Sequence, residues 1–141
     1  AIQEKPLLGY GYGTFWQDLE GPSYWVRFSL EWGVPTAHNG WVETWLSAGV
    51  VAVILFACLY LLTALLALGR LYRGGVENYW AILSTVLFLM ISLSESTILQ
   101  QNDLSWVIFV ATSAKLCSFS SAYWRDRPKM PYFQPPRFHK A

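Results

Sequence analysis

The sequence predicts an all-α integral membrane chain, with three transmembrane helices preceded by an extracytoplasmic arm rich in aromatics and glycine, all within a larger polytopic bundle. Three observations predict it. The 141 residues are 54% hydrophobic and only 13% charged, about half the charge of ordinary soluble domains at roughly a quarter. The apolar residues gather in blocks, and the first runs without a charge from Leu46 to Leu68. Eight Trp and eight Tyr supply amphipathic rings of the kind that favour a membrane–water boundary. The first residue is Ala and no secretory signal pattern follows it, so the chain reads as a piece of something longer.

Residues 1–40 form the expected extracytoplasmic segment. Residues 1–37 are mixed in polarity, show no sustained helical period, and carry turn signals at Gly9, Gly11, Gly13, Gly21-Pro22 and Gly33. The aromatics Tyr10, Tyr12, Phe15, Trp16, Tyr24, Trp25, Phe28 and Trp32 are too many for a free linker. They place this arm against the membrane face or under other chain. Thr36 and Asn39 are helix-capping types, so a helix is expected to begin there.

Residues 41–121 are expected to hold the three spans. Trp41 and Trp45, at i and i+4, read as an interfacial anchor. The 23 residues from Leu46 to Leu68, at about 1.5 Å each, cross a hydrocarbon core of about 30 Å. The second span is expected at 79–96, where Ser and Thr hydroxyls can bond to the helix backbone. The third is expected at 104–119, interrupted by Lys115, whose long stem can snorkel to the interface. Cys58 and Cys117 lie inside apolar runs without metal-ligand spacing. They read as unpaired small buried hydrophobes.

Orientation follows from the basic residues. Arg70 and Arg73 separate the first two spans, and Arg125, Arg127, Lys129, Arg137 and Lys140 follow the third. These belong on the cytoplasmic side by the positive-inside rule. Lys5 and Arg27 lie on the other side with most of the acids. Residues 122–141 form a basic, proline-rich tail, extended rather than helical and suited to anionic headgroups.

Four residues stand out chemically. His38 and Asn39 lie in Ala37-His38-Asn39-Gly40, at the start of a membrane helix, whose N-terminal amides suit an anionic ligand. Neutral His38 can take a proton from an attacking hydroxyl, and protonated it can stabilise a pyrophosphate leaving group. A capping role without a ligand stands equally beside these. Arg27 is an isolated cation among Tyr24, Trp25 and Phe28. Stacking on a ring is its favoured reading, with a phosphate clamp as the alternative. Glu95, in Ser94-Glu95-Ser96, is an ionisable group near membrane depth, which marks function unless it simply reaches water. Asn102 and Asp103 read as turn formers or caps, and Glu43 shares a helix face with Asn39. The run Gly9-Tyr10-Gly11-Tyr12-Gly13-Thr14 fails the dinucleotide-loop pattern at Thr14 and has no P-loop lysine. A turn permitting close backbone approach is the better reading.

Three segments together resemble one family. Pro6-Leu7-Leu8-Gly9-Tyr10-Gly11-Tyr12-Gly13-Thr14-Phe15 is similar to a glycine-rich segment of the large periplasmic loop in the O-antigen ligase/exopolysaccharide polymerase membrane proteins. Ala37-His38-Asn39-Gly40-Trp41, running into an apolar helix with Gly49, resembles their His-Asn signature. Ser94-Glu95-Ser96 with Asn102 and Trp106 resembles the polymerase branch. The resemblance implies a C-terminal part of a bacterial inner-membrane glycosyltransferase with a GT-C-like bundle, of the inverting type. The donor would be an undecaprenyl-pyrophosphate-linked glycan on the periplasmic side, and the acceptor a second glycan or the lipid A core. No cofactor, metal or nucleic acid is implied. His38 falls on the family's periplasmic histidine, Asn39 would orient it, and Arg27 and Glu95 would meet substrate. Full members carry roughly ten or more spans, so the remaining helices of the parent protein would be partners, and this piece alone is expected to be inactive. A non-catalytic polytopic membrane subunit or transporter fragment is the rival from another class.

Overall fold

The computed structural model describes residues 1–17, 21–30, 35–72 and 74–118. The proline-rich tail at 122–141, the turn at Gly33, Trp32, Arg73 and the acids Asp18, Glu20 and Glu31 lie outside the described residues, as does residue 119 of the third expected span. Among the described residues the chain is all-helical, with α1 Pro22–Leu30, α2 Gly40–Leu71, α3 Val76–Ser94 and α4 Leu104–Ser118. Helices α2 and α3 are long and apolar enough to cross a membrane; α4 is a shorter apolar helix.

Helix α1 was not legible as a helix. Pro22 looks like a turn residue in the sequence, yet it opens α1, where its fixed φ suits the first helical position and its missing N–H costs nothing. Only nine residues long, the helix gives little periodicity to read.

The larger surprise is in α2. Gly49 sits at φ 78° and ψ −179°, outside helical geometry. In a straight helix Trp41 and Tyr60 would lie about 28 Å apart, but their ring centroids are 6.4 Å apart, and those of Trp41 and Phe56 are 5.1 Å apart. The chain therefore turns back sharply at Gly49, and the limb 40–48 returns over the end of α3, where Asn39 reaches Leu93, instead of continuing the axis of the limb 50–71. An unbroken span over Leu46–Leu68 is thereby corrected: Leu46, Ser47 and Ala48 belong to the returning limb. The 22-residue limb 50–71 is about 33 Å long, enough to cross a membrane alone.

The arm stabilises this break. Tyr10 N donates to Leu46 O at 2.7 Å, Gly11 N to Ser47 O at 2.9 Å, and Val50 N to Pro6 O at 2.9 Å. Trp45 Nε1 also donates to Pro6 O, at 3.1 Å. Backbone groups freed by the reversal thus find partners in the arm. Such contact demands glycine. A Cβ on Gly49 would lie 2.0 Å from Leu7 O, and one on Gly9 2.6 Å from Leu46 O. Within the glycine run, Gly9 makes the close backbone approach expected of a turn there, while a Cβ on Gly13 would meet nothing within 4 Å.

Helices α2, α3 and α4 pack pairwise. Phe56, Phe88, Ile98 and Phe109 form one core cluster, flanked by Trp41, Tyr60 and Trp106. Phe88 and Phe109 stack at 4.3 Å. Trp41 also donates Nε1 to Ser92 Oγ at 3.1 Å, so its ring packs within the bundle, whereas Trp45 bonds the arm at Pro6. The indole has an apolar body and one N–H donor, and either setting satisfies both. At the other end Ala67, Ala81 and Leu116 pack, where small side chains let α2 and α3 approach closely.

Buried hydroxyls bond as expected of an apolar helix. Thr63, Thr85 and Ser113 each donate to the carbonyl four residues back, and Thr63 Oγ1 also reaches Ser113 Oγ at 3.1 Å. Cys58 and Cys117 are free thiols but exposed, not buried. Cys58 lies on an outward face of α2 and Cys117 lines a cavity near the end of α4, so an apolar run does not mean a buried position.

Candidate functional site

The site gathers where the returning limb of α2 meets the end of α3. Asn39 is the N-cap of α2, in extended geometry. Its Oδ1 accepts from Trp41 N at 3.0 Å and Val42 N at 3.1 Å. Its Nδ2 donates to Leu93 O at 3.0 Å. One amide thus satisfies orphan donors at one helix start and an orphan carbonyl at another helix end. Asp or Ser would cap α2 equally but lacks the N–H₂ for Leu93.

His38 precedes it at φ 49°, a left-handed conformation rare for a residue with a Cβ. Its backbone N–H donates to Thr36 Oγ1 at 3.5 Å. Its Nδ1 stands 3.8 Å from Glu95 Oε2, with both side chains more than half exposed. Glu95 is itself the C-cap of α3, extended at φ −137°, and this turn-out brings its carboxylate across to the imidazole. The structure therefore joins His38, Asn39 and Glu95 in one place.

Arg27 lies elsewhere. It lines a cleft of about 360 Å³ with Tyr12, Trp16, Thr36, Glu43 and Gln100. His38, Asn39 and Glu95 are not among the residues lining it. Arg27 Nε is buried without a hydrogen-bond partner among the described residues, and such an atom calls for an acceptor. The cleft and the histidine site adjoin through Thr36, one wall of the cleft and two residues before His38.

Glu43 binds these parts together. Its carboxylate accepts from Trp16 Nε1 at 3.0 Å through both oxygens and from Ala37 N at 2.9 Å. Its position four residues after Asn39 was the only sequence signal for it; the arm's Trp16 as partner left none. Asp103 caps α4 through Trp106 N at 2.8 Å, and Asn102 sits at φ 61°. Both are turn and cap residues, as their types predict.

In the arm, partial burial and then the Glu4 carboxylate push the Tyr10 phenol up to about 12. The phenol's single proton is shared between Ala1 O at 2.7 Å and Glu4 Oε2 at 2.8 Å, contacts to which a phenolate has no proton to give.

Comparison with protein-family models, with curated proteins and with solved structures gives no match. The arrangement offers an imidazole beside a carboxylate, an anchored helix N-terminus, and a neighbouring polar-aromatic cleft with one guanidinium among its described lining residues.

Proposed function

We propose that this chain is part of a bacterial inner-membrane enzyme that transfers or polymerises undecaprenyl-pyrophosphate-linked glycan on the periplasmic side. A polymerase is preferred slightly to an O-antigen ligase, on the Ser94-Glu95-Ser96 segment. The observation that carries the reading is the convergence of His38 and Glu95 at 3.8 Å, next to the cleft containing Arg27.

Membrane placement is supported by exposed apolar surface. Leu55 is 66% exposed and Leu65 67%, on helices long enough to span. In water such patches are rare; lipid covers them at no cost. On α1, Tyr24, Trp25 and Phe28 form an exposed aromatic group, suited to the headgroup layer. Arg70 and Arg73, between the first two spans in the sequence, favour a cytoplasmic position for that end by the positive-inside rule, with His38 and Glu95 on the periplasmic side.

In the proposed reaction an acceptor hydroxyl attacks the anomeric carbon of the donor sugar from the face opposite the pyrophosphate. The new glycosidic C–O bond forms as the anomeric carbon–oxygen bond to undecaprenyl pyrophosphate breaks. His38 takes the hydroxyl proton, and Glu95 stabilises the resulting imidazolium. Arg27 meets the charge of the leaving pyrophosphate. Asn39 holds the histidine's backbone at the helix start.

Inactivating the protein in its host tests this reading. Undecaprenyl-linked glycan is expected to accumulate while longer or attached polysaccharide is lost. Short chains would point to polymerisation, and loss of attachment to lipid A to ligation. An unchanged lipid-linked pool would contradict both.

A further inference from the structure

Helices α2, α3 and α4 flank a second, laterally open cavity, of about 710 Å³, at the end opposite His38. Its lining is layered. Arg70, Glu77 and Lys115 form the outer rim, where α2 ends, α3 begins and α4 runs out. About one helical turn deeper, the walls are Leu65, Leu66 and Trp80. Arg70 is half-buried, and its Nη2 donates to Leu116 O at 2.8 Å, which fixes the guanidinium at the α2–α4 seam. Among the described residues, two cations against one carboxylate give the rim a net +1, the complement of a single phosphodiester.

We propose that this cavity is a binding site for one membrane glycerophospholipid, with its phosphodiester on Arg70 and Lys115 and its acyl chains running along Leu65, Leu66 and Trp80. A charged rim over an apolar wall, within one turn of helix, matches the polarity profile of a phospholipid entering from the bilayer. A soluble anion would find use only for the rim. The cations favour a headgroup with net negative charge, such as phosphatidylglycerol, over phosphatidylcholine, whose trimethylammonium is repelled. The inference rests on the membrane placement proposed above and not on glycan transfer.

The test uses the whole protein purified in mild detergent. Retained lipid phosphorus is measured per chain, and the thermal midpoint is followed with added phosphatidylglycerol, phosphatidylcholine or inorganic phosphate. About one phosphatidylglycerol per chain should be retained. Its addition should raise the midpoint, while the other two should not. Arg70→Gln with Lys115→Gln should lose both retention and the rise. Lys115→Gln alone keeps the Arg70–Leu116 bond, so it should weaken binding severalfold even if the double variant fails to fold. Equal retention by wild type and Lys115→Gln, or the same rise with phosphatidylcholine or inorganic phosphate, would overturn the site. A protein that stays dispersed without detergent would instead overturn the membrane placement.

Discussion

His38 Nδ1 stands 3.8 Å from Glu95 Oε2, and this pair ties the helix that starts at Gly40 to the end of the one that stops at Ser94. Both groups are more than half exposed. Their coupling is accordingly modest, about 1 kcal/mol or less. Glu95→Gln is expected to lower glycan transfer by about fivefold at most, whereas loss of a proton-accepting His38 is expected to cost about 10²–10⁴. Transfer rates of the two variants in the same membranes check the ranking. A Glu95→Gln defect as deep as that of His38→Ala would show that the carboxylate, not the imidazole, does the chemistry.

Glu43 should matter for structure more than its exposure suggests. Glu43→Gln puts an N–H₂ group where one of the Trp16 and Ala37 donors now points. The expected cost is about 1.5–3 kcal/mol, as for a lost hydrogen bond to a charged acceptor. Limited proteolysis of the arm in detergent reads it, with faster cleavage around Trp16 expected.

Two glycines of α2 should behave oppositely. Gly49→Ala meets Leu7 O and a left-handed φ, and is expected to destabilise by about 3 kcal/mol or more. A Cβ on Gly69 meets nothing within 4 Å, so Gly69→Ala is expected to be neutral or to stabilise by about 0.5–1 kcal/mol through helix propensity. Thermal unfolding of both variants checks the contrast.

Tyr10 offers a pH prediction. Its phenol is raised from the ordinary value of 10 to about 12 by partial burial and by Glu4. A raised pKa means that the neutral form is favoured in the folded state. Its contribution is therefore complete below pH 10 and is lost as pH rises from 10 to 12. Phenolate absorbance of wild type minus Tyr10→Phe should show one tyrosine titrating near 12. A transition at 10 would mean that neither the burial nor the Glu4 bond acts on this phenol.

What the sequence disclosed was local. Asn39 and Asp103 cap helices because of their side chains and positions alone, and the buried hydroxyls bond to their own helices. The reversal at Gly49 was hidden because the apolar run continues through it, and one glycine inside such a run is common in membrane helices. Its cause is non-local: Pro6, Leu7 and Gly9, some forty residues upstream, supply the partners that make the break affordable. The candidate site followed the same division. His38 and Glu95 were each visible as chemically apt residues, but their meeting depends on the fold-back limb. The separation of Arg27 from His38 had no sequence signal at all.

The most direct test of the account is His38→Ala in the complete protein of a polysaccharide-producing host, with membrane protein level checked and surface glycan profiled on gels. Lost or shortened polysaccharide at normal protein level is expected, since Asn39, not His38, carries the helix cap. An unchanged glycan profile at normal protein level would contradict it.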